Sequence, residues 1–192
     1  MESSLNNVVS HLASATDELK KGIEEVGNAK DKLKEMGDLV TRLNSKVEEM
    51  EKRAIGQRVA FSASLRNGED IHIGPFGSDT PLVFQHIFVN ISEAYDPKTG
   101  VFTAPNHGVY AFRIFCTAFG DNAPLTLGLF KNDEHMVSAH AHQRKDIYKS
   151  SNGMTLELQK GDKVTVKLYA KAWVYDNRAH HTTFSGHLLF LL

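Results

Sequence analysis

A seven-residue repeat of apolar side chains constrains the first part of this sequence more than any other feature. Residues 1–54 contain neither proline nor aromatic residues, and their apolar residues form two series offset by three positions. The first series is Leu5, Leu12, Leu19, Val26, Leu33, Val40, Val47 and Ala54, and the second is Val8, Ala15, Gly22, Ala29, Met36, Leu43 and Met50. These are the a and d positions of a coiled coil. A strict period of seven predicts a left-handed supercoil.

Charged residues beside this apolar seam favour a parallel bundle with its helices in register. Glu25 at a g position precedes Lys30 at the next e position, and Lys46 precedes Glu51 in the same way. Gly22 leaves the middle of the seam underpacked, so the bundle is expected to be weak on its own. The alternative is a single amphipathic helix that packs on its own domain, although the seam is narrow and long for such packing. A straight helix of this length would be a rod of about 75 Å.

The period of the apolar pattern changes from seven to two after Val59. Tyr110, Phe112, Ile114 and Cys116 recur at every second position and are expected to share one face of a strand. Further strand candidates are 59–65, 82–88, 125–130, 135–142, 154–158, 164–168 and 184–192. The last of these predicts that Phe190 and Leu192 share the inner face with Leu188. The pattern therefore predicts an oligomerisation stalk at 1–54 and a β-sandwich at 55–192.

The segment QKGDK, residues 159–163, separates two of these strand candidates. A short loop that contains glycine between alternating segments is typical of a β-hairpin. We therefore expect 154–158 and 164–168 to pair with each other.

Charge and hydropathy exclude several kinds of partner. The formal net charge of −1 offers no electrostatic basis for nucleic-acid binding. No apolar run is long enough to cross a bilayer. The first ten residues lack the features of a signal peptide, so the sequence predicts either a cytosolic chain or one whose leader was removed. The single cysteine, Cys116, cannot form an intrachain disulfide and is expected to be a small buried residue.

The aromatic spacing of two segments resembles that of the globular head domain of complement C1q. The matching positions are Phe84, Asn90, Tyr95, Phe102, Gly108, Tyr110 and Phe112 in the central segment, and Phe184 and Gly186 in the closing segment TTFSGHLLF. Ile114 and His187 stand where this family more often has aromatic residues. The resemblance covers about residues 58–192. It implies a ten-stranded jelly roll of the C1q and tumour-necrosis-factor type that forms tight trimers, is secreted and binds ligands without catalysis.

The stalk departs from the collagen stalk of many relatives, because the sequence has no Gly-X-Y repeat. Cerebellins, which share the head domain, carry N-terminal cysteines that link their trimers. No such cysteine occurs here, so a covalent hexamer is not expected.

Three candidate sites follow from the sequence and the resemblance. Some relatives bind Ca²⁺ through acids in the segment that corresponds to KNDEHMVSAHAHQ, and Asp133 occupies one such place. Ala141 stands where a second acid is expected, so the oxygen set is incomplete for Ca²⁺. Asn90 begins the sequon NIS, which matters for a secreted chain. The histidines that attract attention are His135, His140, His142, His180, His181 and His187, but none shows the ligand spacing of a zinc site.

The function that these features predict is multivalent recognition of an extracellular ligand by a homotrimer. The partner would be a microbial or cell-surface ligand in innate immunity, or an extracellular protein receptor. Two alternatives remain, namely a cerebellin-like organiser that engages one receptor and a purely structural extracellular oligomer. No nucleophile elbow or paired-carboxylate context surrounds His107 and Ser92, so an enzyme is not expected. No resident cofactor is indicated beyond the candidate Ca²⁺.

Overall fold

The computed structural model describes residues 2–56, 58–66, 68, 70–119, 124–142 and 146–192. The chain divides into two compact units between Arg53 and Ala54. The first unit is built on one helix, α1, and the second contains the strands.

Helix α1 spans Glu2–Gly56 without interruption over 55 residues. A repeat of seven residues turns by only about 20° per heptad on a straight α-helix, so successive heptad residues lie close to the same side. Every side chain that the structure describes in this helix is exposed, including Leu33 at 73 %. The apolar seam is therefore exposed to solvent in a single chain.

The described part of the second unit forms thirteen strands. They are β1 (Ala60–Ser64), β2 (Ile71–Ile73), β3 (Thr80–Pro81), β4 (His86–Ile91), β5 (Tyr95–Asp96), β6 (Val101–Thr103), β7 (Gly108–Phe119), β8 (Leu125–Lys131), β9 (Glu134–Ala141), β10 (Ile147–Leu158), β11 (Lys163–Leu168), β12 (Val174–Asp176) and β13 (Thr183–Leu191). Five of these are only two or three residues long, which is why the strand count exceeds the expected ten.

The strands form two antiparallel sheets that pack face to face, which confirms the predicted sandwich. The seven-stranded sheet has the order β2-β12-β7-β13-β1-β4, with β10 also paired to β7. The six-stranded sheet has the order β5-β6-β11-β8-β9, with β3 also paired to β11. Strand β7 is central to the seven-stranded sheet, because it pairs with three other strands, β10, β12 and β13.

Aromatic side chains from both sheets fill the space between them. The Phe61 ring stacks on Tyr95 at 4.7 Å and meets Phe184 edge-on at 4.8 Å between centroids. Phe102 lies edge-on to Phe112 at 5.2 Å. A Cβ atom at Gly186 would lie 2.5 Å from the Phe112 ring, so only glycine permits this approach. The predicted burial of Tyr110, Phe112, Ile114 and Cys116 on one face of β7 is confirmed.

The QKGDK turn does not form the expected hairpin. Strand β10, which precedes it, belongs to the seven-stranded sheet, whereas β11 belongs to the six-stranded sheet. Asp162 closes the turn by accepting a hydrogen bond from the Gln159 amide at 2.9 Å, and Gly161 supplies a φ of 93°. The chain therefore crosses between layers here. A short glycine turn does not by itself specify whether the flanking strands pair.

The expected inner face of the last strand is also wrong at its end. Phe184, Gly186 and Leu188 face inward, but Phe190 and Leu192 are 53 % and 59 % exposed. The register with β7 shifts between Leu188 and Phe190, so a bulge moves the inward position from 190 to 191. Leu191 packs against the core instead. The expected strand 82–88 likewise begins later, at His86.

Candidate interaction surfaces

Strand alternation divides the side chains of the seven-stranded sheet between the core and its outer face. On β7, Phe112 and Ile114 point inward, whereas Arg113 and Phe115 point outward. Large apolar side chains on β4, β7 and β13 are 42–53 % exposed. This group, the assembly face, comprises Phe88, Val89, Ile91, Phe115, Leu189 and Phe190. Scattered single apolar residues are ordinary on a surface, but a group of this size is typical of an interaction site.

Two histidines surround Phe88 at the β4 edge of this sheet. The His86 and His180 rings stack at 4.8 Å with an interplanar angle of 7°. Phe88 meets both rings edge-on, at 4.7 Å and 4.9 Å. The Ser64 hydroxyl lies 2.8 Å from His180 Nδ1 and anchors the stack. The sequence pointed to His180 but not to its partners, which come from β1 and β4.

Most residues of the aromatic signature build the core rather than a binding site. Tyr95 is buried, and its Oη accepts a hydrogen bond from the Phe84 amide at 3.0 Å and donates to the Phe84 carbonyl at 3.1 Å. This burial raises the pKa of the Tyr95 hydroxyl well above its ordinary value. The other buried signature residues are Phe84, Phe102, Gly108, Tyr110, Phe112, Phe184 and Gly186.

The Asn90 side chain has a structural role at the end of β4. Its Nδ2 donates to the Tyr95 carbonyl at 2.8 Å, and its Oδ1 accepts from the Tyr95 amide at 3.3 Å. The third sequon residue, Ser92, donates through its hydroxyl to the Arg58 carbonyl at 2.6 Å. These bonds explain why an asparagine suits this place without any glycan. Glycosylation of Asn90 stays a prediction.

Asp133, the candidate Ca²⁺ ligand, lies in the two-residue turn between β8 and β9. Asn132 and Asp133 both have positive φ angles, 48° and 67°, as expected in a tight hairpin. Asp133 Oδ1 accepts a hydrogen bond from Lys167 Nζ at 2.8 Å, and this bond lowers the pKa of the carboxyl group. A Ca²⁺ ion there would have to compete with the lysine, so the Ca²⁺ role stays a prediction.

The remaining histidines are spread over the second unit. His135 Nε2 lies 2.8 Å from the Ser138 hydroxyl, and His140 Nδ1 lies 2.7 Å from the Thr126 hydroxyl. His107 Nε2 lies 3.0 Å from Glu157 Oε1. Among the described residues, no three histidine, cysteine or acidic side chains come together as a metal site would require.

A buried polar cluster near the start of β13 gave no signal in the sequence. Asp176 is fully buried, and its two oxygens accept hydrogen bonds from the Leu65 and Thr182 amides at 3.1 Å and 3.2 Å. The Thr182 hydroxyl donates to the Tyr175 carbonyl at 2.6 Å and accepts from the Thr117 amide at 3.1 Å. The cluster links β7 and β12 to the residue that follows β1.

Comparison with known proteins places the second unit in one family. The model of the family described as C1q domain matches residues 60–189. Caprin-2 of Danio rerio is 34 % identical over 134 residues, which are 69 % of this chain and 14 % of that protein. The chain thus corresponds to a small part of that relative. No helix in the described ranges has both the length and the hydropathy needed to span a membrane.

Solved structures show the same architecture. The globular domain of zebrafish complement 1qA is 25 % identical with a TM-score of 0.56, and the match covers 70 % of this chain and 99 % of that one. The Eiger TNF of S. frugiperda is 12 % identical with a TM-score of 0.58, over 71 % and 95 %. Murine APRIL at pH 5.0 is 11 % identical with a TM-score of 0.55, over 69 % and 99 %. The last two share the fold alone.

Proposed function

The chain belongs to the C1q domain family, and from this premise we propose that it is a secreted, homotrimeric ligand-recognition protein without catalytic activity. The observation that carries the proposal is the exposure of two apolar surfaces, the seam of α1 and the assembly face of the head. A protein with two uncovered apolar surfaces is expected to bury them against further copies of itself. A C1q-family head and a coiled-coil seam both suit three copies.

The helix supports assembly through its period and its charges. Leucines and valines at the a positions are each more than half exposed in one chain, and burial of such a side chain contributes about 1.5–3 kcal/mol. Glu25 and Lys30, and Lys46 and Glu51, have the g-to-e spacing that bridges neighbouring parallel helices. Three parallel stalks would hold three heads at one end.

The head supports assembly through its outer face. The assembly face comprises three exposed phenylalanines and three exposed aliphatic side chains on β4, β7 and β13, and it carries no ion pair among the described residues. Such a face is close in character to the core of a stable subunit interface. An extracellular location, with innate-immune recognition or receptor binding as the role, follows from the general character of the family and belongs to this proposal.

Sedimentation equilibrium of the full chain tests the assembly directly. We expect a mass of about three times 21.4 kDa. Leu33→Asp places a charge in the seam and should weaken the trimer, whereas Lys34→Asp, one residue further on the outer side of the helix, should not. A monomeric full chain, or equal effects of the two substitutions, would contradict the proposal.

A further inference from the structure

We propose that two stacked histidines at the β4 edge make assembly of this chain sensitive to pH, so that the trimer forms at neutral pH and weakens when both histidines take up protons. The histidine pair comprises His86 and His180, whose rings lie beside Phe88 of the assembly face. The inference rests on the proposed homotrimer and adds a condition under which that trimer comes apart.

Phe88 depends on the histidine pair for its position, because the backbone ladder skips it. The register between β1 and β4 shifts after Ser62, and the residue of β4 that the shift leaves without a partner is Phe88. Such a residue belongs to a β-bulge, where the ladder is locally disrupted. The Phe88 ring meets His86 edge-on at 4.7 Å and His180 edge-on at 4.9 Å. The pair therefore sets the direction of a phenylalanine that is 48 % exposed in the single chain.

The two imidazole rings of the pair lie almost parallel. Their centroids are 4.8 Å apart, and their planes differ by 7°. Two neutral rings can stack in this way, and so can one neutral ring and one imidazolium, since an aromatic face attracts a cation. Two imidazolium rings repel each other. By Coulomb's law, this repulsion disfavours the doubly charged stack roughly 4-fold in bulk water and roughly 300-fold at the effective dielectric constant of a protein surface.

The hydrogen bond that anchors the pair tolerates both charge states of His180. The Ser64 hydroxyl lies 2.8 Å from His180 Nδ1 and 3.3 Å from the Arg66 carbonyl oxygen. The hydroxyl can donate to a neutral imidazole, or it can accept from a protonated one while it donates to the Arg66 carbonyl. Protonation therefore preserves this bond. The charge on the two rings, and not the loss of an anchor, is what opens the stack.

The charges around the pair do not compensate a second proton. The described titratable and charged side chains on the two flanking segments, residues 64–70 and 176–182, are Arg66, Asp70, Asp176, Arg178 and His181. Asp70 accepts a hydrogen bond from the Tyr175 hydroxyl, and the oxygens of Asp176 accept from backbone amides. His181 stacks on Tyr175. Among the described residues, neither histidine of the pair forms an ion pair with a carboxylate.

Proton uptake therefore favours the separated chains. In the proposed trimer, Phe88 and the pair beside it lie at an apolar interface, where a charged ring loses hydration and is disfavoured. In a separated chain the stack can open, and each ring can carry its proton in water. Assembly is thus favoured above the range in which histidines ordinarily change charge, about pH 5–8. It is lost as the pH falls through that range, because the separated state binds more protons.

Sedimentation equilibrium of the full chain at about pH 7.5 and about pH 5.5 tests the proposal. The ionic strength is held equal, and the protein is diluted until trimer and monomer coexist at the higher pH. Uptake of one proton per head on dissociation raises the trimer dissociation constant by up to about 10³-fold for each pH unit. We expect a rise of at least about 10²-fold between the two conditions. Circular dichroism should show the same strand signal in both.

Two variants assign the pH dependence to the pair. His86→Phe keeps an aromatic ring against His180 but removes one proton site, and the dissociation constant should then change by less than about tenfold. His140→Phe removes a histidine that is exposed, bonds to Thr126 in the other sheet and makes no ring contact with the pair. It should keep the full pH dependence. Where His86→Phe fails to assemble at the higher pH, His86→Gln, a smaller side chain without a proton site, replaces it in the same comparison.

Each remaining result counts against the histidine pair. Equal dissociation constants at the two pH values, or equal pH dependence in the His86 and His140 variants, overturn the inference and leave the proposed trimer standing. Loss of the strand signal at the lower pH overturns it as well, because the head would then unfold and not merely separate. A chain that is monomeric at both pH values contradicts the proposed function itself, and the inference fails with it.

Discussion

At the scale of single residues, the head depends on a few aromatic side chains that meet across the two sheets. Phe61 from β1 contacts rings from β5, β6, β7 and β13 at centroid distances of 4.7–6.5 Å. Gly186 makes room for this packing opposite Phe112. Aromatic pairs of this kind stabilise a fold by more than their buried area alone suggests. The loss of one ring should therefore be felt throughout the head.

Phe112→Ala is expected to lower the free energy of unfolding by about 3–5 kcal/mol, since it removes a fully buried ring and leaves a cavity. Urea unfolding followed by circular dichroism measures the change. Phe76→Ala, on an exposed loop, is the control and should change it by less than about 1 kcal/mol. Similar losses for the two variants would mean that Phe112 is not a core residue in solution.

Cys116 should be unreactive in the folded protein. Its side chain is 1 % exposed and donates to the Ser150 carbonyl at 3.2 Å, and burial raises the pKa of the thiol to about 12. At pH 8 about one thiol in ten thousand would then be the reactive thiolate. We expect a thiol reagent to label the chain in urea but not in buffer. Reactivity should remain low until the pH approaches the raised pKa, and rapid labelling at pH 8 would disprove the burial.

At the scale of elements, side-chain hydrogen bonds connect two neighbouring strands that do not pair through their backbones. Strands β9 and β10 belong to different sheets and do not pair. Ser150 Oγ donates to the His140 carbonyl at 3.0 Å, and Asn152 Nδ2 donates to the Ser138 carbonyl at 2.8 Å. These two bonds cover the outer edge of β9, which would otherwise offer free carbonyls to another strand.

The long helix is the other element with a clear test. Leu33→Pro should break α1, because proline removes a backbone hydrogen bond and costs about 3 kcal/mol or more in a helix interior. Circular dichroism of the full chain should lose helical signal and keep strand signal. Leu33→Met, which preserves size and helix propensity, is the control and should retain both. Loss of the strand signal in the proline variant would show that the two units do not fold independently.

At the scale of the whole molecule, the proposed trimer would present three identical heads to one surface. The binding of a second head to a dense surface is then an intramolecular event with a high effective concentration. Each head can bind weakly while the assembly dissociates slowly. This behaviour distinguishes recognition of a repeated ligand from engagement of one receptor by a cerebellin-like organiser.

Dissociation of the unmodified protein from dense and sparse surfaces of the same ligand measures this avidity. We expect slower dissociation from the dense surface by on the order of 10²-fold. Equal rates on both surfaces would favour the single-receptor alternative, because they would mean that each head, or one site per trimer, acts alone.

Local periodicity was enough to predict the helix, the sandwich and the inward face of β7, because repeats of seven and two translate directly into which side of an element is apolar. The aromatic signature was enough to identify the family, since its residues pack on one another in the core. The eight a positions could be named in the same way, and their role in a trimer stays a prediction.

Long-range geometry decided what periodicity could not. The QKGDK segment would form a tight turn whether or not its flanking strands paired with each other. Only the packing of the two sheets places β11 in the six-stranded sheet and not beside β10. The bulge after Leu188 shifts the alternation by one residue, which no count along the chain reveals. In the sequence, Asp176 resembles any acidic residue of a turn. Its structural role depends on the Leu65 amide, more than a hundred residues away, which donates a hydrogen bond to it. His72 and Trp173 lie about as far apart in sequence, and strand pairing across β12 is what places their rings in contact.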